Sequence, residues 1–242
     1  MDIVLFSLLV GGLVTGFSKF SVGGMGLIIL PIIMLGFPGP EALGILIPMY
    51  ILTDVMAVFS YRSKIAWGVL IKLLPLALIG VVLGGWLLSG IDAEKFTVLL
   101  GVTIIFIIGL GVWLDSNPTN NIMQHSSAAY LVGLSAGFIS LIANAAGPLF
   151  SLFLIEQKLS KETYVSTRAW AFLIINASKL PMLYWLGFMN WHTFKLSMQG
   201  IPGLVVGAAI GYCLLRRLNL KQFKWLIRGM AAIAAIKLLL FS

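Results

Sequence analysis

Long apolar runs separated by short polar breaks dominate the chain. Several runs reach the roughly 20 apolar residues that a bilayer-crossing helix needs. Backbone groups in hydrocarbon find no water partners, so each span has to be helical or shielded by protein. The pattern therefore predicts an all-α polytopic membrane protein that forms a single membrane domain over 1–242. Helices are predicted at about 3–17, 24–36, 41–60, 65–88, 94–114, 128–142, 147–157, 161–185, 191–216 and 220–241.

The two halves of the chain repeat one another. A shift of about 121 residues superimposes Gly16 on Gly137, and further along a shift of about 127 superimposes Pro75 on Pro202. A nearly constant shift that includes prolines is typical of internal duplication, so we expect two pseudo-symmetric repeats. The predicted parts are repeat one at about 1–115, a polar linker at about 115–127 and repeat two at about 128–242.

Each half opens with an apolar segment that is interrupted. Residues 3–36 would form a straight helix of about 51 Å, which exceeds the roughly 30 Å of a hydrocarbon core. Small and polar residues interrupt this segment at 18–24, and 140–148 interrupts its counterpart. Broken segments at matching positions of two repeats indicate a transporter binding site. Each repeat is therefore predicted to consist of a broken or re-entrant hairpin followed by three transmembrane helices.

The distribution of basic residues favours inverted repeats. If each hairpin returns to the side of the membrane from which it started, each half crosses the membrane three times. Because this number is odd, the second half is inverted relative to the first. That topology places eleven Lys and Arg residues on the inner side and four on the outer side, whereas single crossings by the broken segments give nine and six. Cytoplasmic loops carry the excess of basic residues, so the inverted arrangement is preferred. The predicted outer residues are Lys95, Lys179, Lys195 and Lys237.

Composition excludes several classes of protein. Charged residues make up 10% of the chain and apolar residues 60%, whereas soluble domains carry about 25% charged residues. The net charge of +8 is explained by basic residues at span ends, so no nucleic-acid partner is expected. The single cysteine, Cys213, excludes an internal disulfide. No metal-ligand pattern, phosphate-binding loop or nucleophile motif is found, so neither a metal nor another cofactor is expected.

The two breaks supply groups that suit an anion. A helix that begins within the membrane directs unpaired N–H groups and a positive dipole end at its surroundings. Small residues let a ligand approach the backbone, and hydroxyl or amide side chains add hydrogen bonds. The alternative is that small residues only allow close helix packing. The candidates at the breaks are Ser18, Ser21, Gly23, Gly24, Gly26, Asn144, Ala145 and Gly147.

Four further polar residues fall within predicted spans. Lys19 either pairs with an anionic substrate or extends to water from a shallow hairpin tip. Arg168 either binds an oxyanion with two hydrogen bonds or anchors its helix at the inner interface. Asp54 is a candidate proton carrier or a structural partner of a nearby basic residue. Asn176 is a candidate for a buried polar role or for a hydrogen bond between helices.

Short motifs of small residues connect the chain to a known family. They are Gly16-Phe17, Val22-Gly23-Gly24-Met25-Gly26, Leu30-Pro31, Leu35-Gly36-Phe37-Pro38 and, in the second half, Gly137-Phe138 and Ala146-Gly147-Pro148. With these motifs the chain resembles the sulfite exporter TauE/SafE family, also called the four-toluene-sulfonate uptake permease family. The family commonly has Gly-Gly-Pro where this chain has Ala146-Gly147-Pro148. The resemblance implies transport of small sulfur-containing or organic anions across the bacterial inner membrane.

These observations together predict a secondary transporter or facilitator rather than an enzyme. The expected partners are a small anionic substrate, with sulfite or an organosulfonate suggested by the resemblance, and the lipid bilayer. An anion channel or a membrane scaffold is the alternative, and an intramembrane enzyme is disfavoured because no paired nucleophile or acid–base groups are found. The sequence leaves open a homodimer, the coupling ion and the direction of transport.

Overall fold

A computed structural model describes residues 2–21, 26–61, 63–116, 123 and 126–217. Within these residues the chain forms ten α-helices and no β-strand, which confirms the all-helical prediction. The predicted helix at 220–241 and most of the predicted linker lie outside the described residues. The helices are α1 (Ile3–Phe20), α2 (Gly26–Met34), α3 (Glu41–Ser60), α4 (Trp67–Leu88), α5 (Ala93–Ser116), α6 (Ser126–Ala143), α7 (Gly147–Glu156), α8 (Lys161–Trp185), α9 (Trp191–Gln199) and α10 (Ile201–Arg217).

Short polar side chains fix several helix starts. Asp2 accepts a hydrogen bond from the Val4 N–H in front of α1. Ser160 accepts one from the Thr163 N–H at 3.2 Å in front of α8. Asn190 forms a capping box with α9. Such caps satisfy backbone donors that the first helical turn leaves unpaired.

Two predicted helices differ most from the observed ones. The first helix was expected to end at 17 but continues to Phe20, since neither glycine nor proline occurs between Phe17 and the glycines of the break. The predicted helix at 191–216 is two helices, α9 and α10, bent by 51°. Pro202 lies in the first turn of α10, where its missing N–H and fixed φ are tolerated, whereas inside a continuous helix they are costly.

Hydropathy and exposure fit a membrane environment. In the described residues, α1, α3 and α4 are long and apolar enough to cross a bilayer, and α9 with α10 would make a fourth, bent span. Large apolar side chains face outward along α4, as at Ile71, Val82 and Trp86. An extended apolar surface of this kind is stable in lipid and would be a liability in water.

Two helix pairs form the long side-by-side contacts of the structure, α1 with α10 and α4 with α6. A Cβ added at Gly16 would overlap the Leu204 carbonyl oxygen, and one at Gly137 would overlap the Ala77 carbonyl oxygen. Gly16 corresponds to Gly137 by the shift of 121 residues, and Leu204 corresponds to Ala77 by the shift of 127 residues. The two interfaces therefore use equivalent residues. The same relation holds for the contacts Leu13–Gly207 and Leu134–Gly80, and for Phe17–Gly211 and Phe138–Gly84.

The centre of the structure is built from α3 and α8, which pack against each other. Both helices bury polar side chains here, including Thr53 and Asp54 on α3 and Arg168 and Asn176 on α8. The short helices α2 and α7 contact one another beside this pair. This arrangement brings the two interrupted segments to the polar centre of the protein.

Candidate functional site

The two breaks of the chain meet in the interior. Gly26 begins α2, and a Cβ added there would lie 3.4 Å from the Asn144 carbonyl oxygen. Asn144 follows the end of α6 with φ of +50°, a left-handed conformation that asparagine tolerates better than most residues. Gly147 begins α7 only three residues later. The starts of α2 and α7, one from each half of the chain, therefore lie next to each other.

A small cavity of about 30 Å³ lies between the breaks. This volume holds about two water molecules. Seven of the predicted site residues line it together, drawn from α1, α2, α7, α8 and the α6–α7 break. The lining consists of Ser18, Lys19, Gly26, Ile29, Tyr50, Ser140, Asn144, Gly147, Arg168, Phe172 and Asn176.

The other predicted residues lie outside this lining. Ser21 and Ala145 are buried beside the breaks but do not line the cavity. Asp54 is buried directly behind it and contacts two lining residues. Gly23 and Gly24 lie outside the described residues, so their part in the site remains a prediction.

Lys19 forms a buried ion pair. Its Nζ lies 2.6 Å from Asp54 Oδ1, and the Asn176 amide donates to Asp54 Oδ2 at 2.6 Å, so both carboxylate oxygens are partnered. The Lys19 ammonium also lies 4.4 Å from the Phe172 ring centre and 4.8 Å from that of Tyr50, within the range of a cation–π attraction. Extension of Lys19 to water, one of the two alternatives, is therefore wrong. Asp54 is a structural partner of this lysine.

Arg168 lies in the interior and is not an interface anchor. The residue is 5% exposed, and its guanidinium lies 5.7 Å from the Phe172 ring centre. One Nη donates to the Ser18 carbonyl at 3.3 Å, at the last turn of α1. Among the residues that the structure describes, its Nε–H has no hydrogen-bond partner. A buried guanidinium with an unused donor in a cavity wall is suited to bind an oxygen anion.

Lys179 was predicted to be an outer anchor, and this prediction is wrong. The side chain is buried, with 1% exposure, and its Nζ donates to Asn144 Oδ1 at 2.6 Å. The sequence did carry a signal for this position. Arg168, Phe172, Asn176 and Lys179 are spaced by four, four and three residues, which places them along one helix face.

The contact with Lys179 determines what Asn144 offers to the cavity. An ammonium group is a donor only, so Asn144 has to turn its carbonyl oxygen toward Lys179. The amide NH₂ is left as the polar group available on the cavity side. Asn144, Arg168 and the N-terminal N–H groups of α2 and α7 make the cavity rich in donors. Asn176 Oδ1 is the exception, since it is a buried acceptor without a partner in the described part of the chain.

Three aromatic rings cluster next to the cavity. Phe20, Tyr61 and Tyr212 contact one another with ring centres 5.7–6.4 Å apart, and the Tyr61 hydroxyl donates to the Phe20 carbonyl at 2.7 Å. Burial raises the pKa of Tyr61 above its usual range, so this hydroxyl stays protonated. We call these three residues the aromatic cluster.

A second cavity, of about 390 Å³, begins at the aromatic cluster. Tyr61 and Tyr212 form part of its wall, together with Lys161, Glu162 and Arg216. Phe20, on the other side of the cluster, directly follows Lys19 of the central cavity. The aromatic cluster therefore borders the second cavity, and along α1 it adjoins a residue that lines the central one.

Comparison with known protein families gave a match over nearly the whole chain. The family model described as sulfite exporter TauE/SafE matches residues 8–238. Searches of curated proteins and of solved structures returned no match.

Proposed function

The chain belongs to the sulfite exporter TauE/SafE family, and on this premise we propose that it is a secondary transporter or facilitator of small anions. Sulfite and organosulfonates are the substrates that the family description suggests. Membership also accounts for the apolar helices, since members of the family are membrane transporters. We propose the bacterial inner membrane as its location, with several crossings by each half.

One observation carries the choice of an anion. Arg168 is buried in the cavity wall with an unused N–H donor, and Lys19 and Asn144 add a cation and an amide to the same wall. Buried charges in a membrane interior are costly and mark a pathway or a ligand. A small oxyanion could accept hydrogen bonds from all of these groups, whereas a cation would be repelled.

Inversion of the two halves is part of the proposal. The equivalent contacts of α1 with α10 and of α4 with α6 support a pseudo-two-fold relation between the repeats. With three crossings after each hairpin, such a relation inverts the second half. The excess of basic residues on one side then follows the known bias toward the cytoplasm. On this topology the second cavity, with Lys161 and Arg216, faces the cytoplasm.

For transport we propose alternating access to the central cavity. The cavity of about 30 Å³ holds only about two waters, so entry of an oxyanion would require side chains to move. The aromatic cluster would act as the inner gate, with Tyr61 holding Phe20 in place. Opening would join the central cavity to the larger basic one.

Counterflow in proteoliposomes tests this function. Vesicles loaded with unlabelled sulfite should accumulate labelled sulfite transiently and with saturation, which a channel does not produce. Arg168→Gln should reduce the initial rate by about tenfold or more, because a buried hydrogen bond to a charged group contributes roughly 1.5–3 kcal/mol. Lys195→Gln, at an exposed position, is the control and should retain the wild-type rate.

Two results would contradict the proposed function. Absence of flux for sulfite and for every organosulfonate tested, in protein that elutes as a single folded species, would exclude transport of this anion class. Wild-type counterflow in Arg168→Gln would place the binding site elsewhere in the protein.

A further inference from the structure

We propose that the central site selects divalent over monovalent anions, because it buries two cations, Arg168 and Lys179, that no protein carboxylate balances. This inference rests on the proposed function and adds to it the charge of the substrate. It also adds Lys179 to the site as a residue that determines specificity.

The charges around the cavity can be counted by helix. Lys19 comes from α1, Asp54 from α3, and Arg168 and Lys179 from α8. The helices α2 and α6 carry no ionisable Asp, Glu, Lys or Arg, and Glu156 lies at the far end of α7 from Gly147. Three basic side chains thus face one carboxylate, and with these side chains protonated two positive charges are in excess among the described residues.

The excess can be assigned to particular residues. Lys19 and Asp54 balance each other at 2.6 Å. Arg168 and Lys179 are held by neutral oxygens instead, the Ser18 carbonyl and the Asn144 side chain. In the described part of the chain, no carboxylate oxygen lies within 4 Å of either cation. The partial positive charges at the starts of α2 and α7 increase the imbalance.

A divalent anion between the breaks would balance both cations, whereas a monovalent one would leave one buried charge uncompensated. Unpaired buried charge is among the largest penalties in a low-dielectric interior. The unpartnered Asn176 Oδ1 is a smaller cost, and one bound water can satisfy it. Charge therefore dominates the choice of ligand at this site.

Lys179 would act through Asn144. Its hydrogen bond to Asn144 Oδ1 fixes the amide with its NH₂ group toward the cavity, and its charge adds to the potential there. Removal of Lys179 would lower the excess by one positive charge and release the amide. The expected result is weaker binding of divalent anions with little loss, or a gain, for monovalent ones.

Sulfate and methanesulfonate are suitable probes, because both are tetrahedral and of similar size, and they differ by one charge. Each is added as a competitor in the sulfite counterflow assay. Sulfate should inhibit wild type at a concentration lower by about tenfold or more, the expected effect of one additional charge beside a partly buried cation. Lys179→Met should remove most of this preference, and Lys179→Arg should keep it.

Lys195→Met is the matched control, since it removes an exposed lysine by the same substitution, and its preference should equal that of wild type. The wild-type preference alone already tests the inference if Lys179→Met does not yield folded protein. Equal inhibition by the two probes, inhibition by neither, or an unchanged preference in folded Lys179→Met would overturn it. Each of these results can occur while sulfite counterflow persists, whereas loss of counterflow in wild type would refute the proposed function itself.

Discussion

Asp54→Asn gives the sharpest test of the buried network. The carboxylate is 1% exposed and accepts from Lys19 and Asn176, each at 2.6 Å. The substitution keeps the shape of the side chain but leaves the Lys19 ammonium buried without a counter-charge. Removal of one partner of a buried ion pair typically costs about 3–5 kcal/mol. We expect Asp54→Asn to lower the free energy of unfolding by that amount.

A double-mutant cycle shows whether the loss comes from the pair itself. Lys19→Met should also destabilise the protein, because it leaves Asp54 with only the Asn176 amide. The double variant should be less destabilised than the sum of the two single variants, because it contains neither orphaned charge. The measurement is unfolding of purified protein in detergent, followed by helical circular dichroism for all four proteins.

The chain contains its own control for this cycle. Lys95 and Asp92 form an exposed pair at 2.9 Å, with 71% and 57% of the side chains accessible. Exposed pairs contribute little to stability, so Asp92→Asn should change the unfolding transition only within error. Strictly additive effects of Asp54→Asn and Lys19→Met, or a loss no larger than that of Asp92→Asn, would refute the importance of the buried pair.

Two further predictions concern helix packing and the gate. Gly16→Ala should destabilise the protein by about 1–3 kcal/mol, because the added Cβ meets backbone that cannot yield. Gly101→Ala, where the added Cβ enters open space, is the control and should be neutral or slightly stabilising. Equal unfolding midpoints of the two variants would contradict this prediction. Tyr61→Phe removes the hydroxyl that holds the aromatic cluster closed, at a cost of about 1 kcal/mol. Thiol labelling of Ser18→Cys in a Cys213→Ser background should then become severalfold faster, and an unchanged rate would exclude Tyr61 from the gate.

Most of the fold could be predicted from the sequence because membrane helices are marked by length and hydropathy. The helix at 41–60 was predicted with the observed bounds, and so was that at 161–185. The bend at Gly200 was not predicted. Pro202 follows it in the first turn of α10, whereas Pro75, at the equivalent position in α4, lies inside an unbroken helix. A proline alone does not determine whether a helix continues, since neighbouring packing can compensate for the lost hydrogen bond.

The candidate site was predictable where chemistry and position coincide. Lys19 and Asn144 were candidates because ionisable or amide groups near the breaks of an apolar segment are unusual, and Arg168 was a candidate because a guanidinium within a predicted span can bind an oxyanion. Lys179 was misplaced, because a lysine near the end of a predicted span normally extends to the interface. Its burial depends on Asn144 approaching from the other element, and contacts between distant segments are not encoded in local hydropathy.

If the two breaks form one anion site, a bound anion can be located there directly. Selenite has the charge and shape of sulfite and scatters X-rays anomalously, so its position can be determined in crystals soaked with it. We predict an anomalous peak between Gly26 and Gly147, with an oxygen about 3 Å from the Arg168 guanidinium. A peak confined to other surfaces, in protein that still exchanges sulfite, would contradict the account.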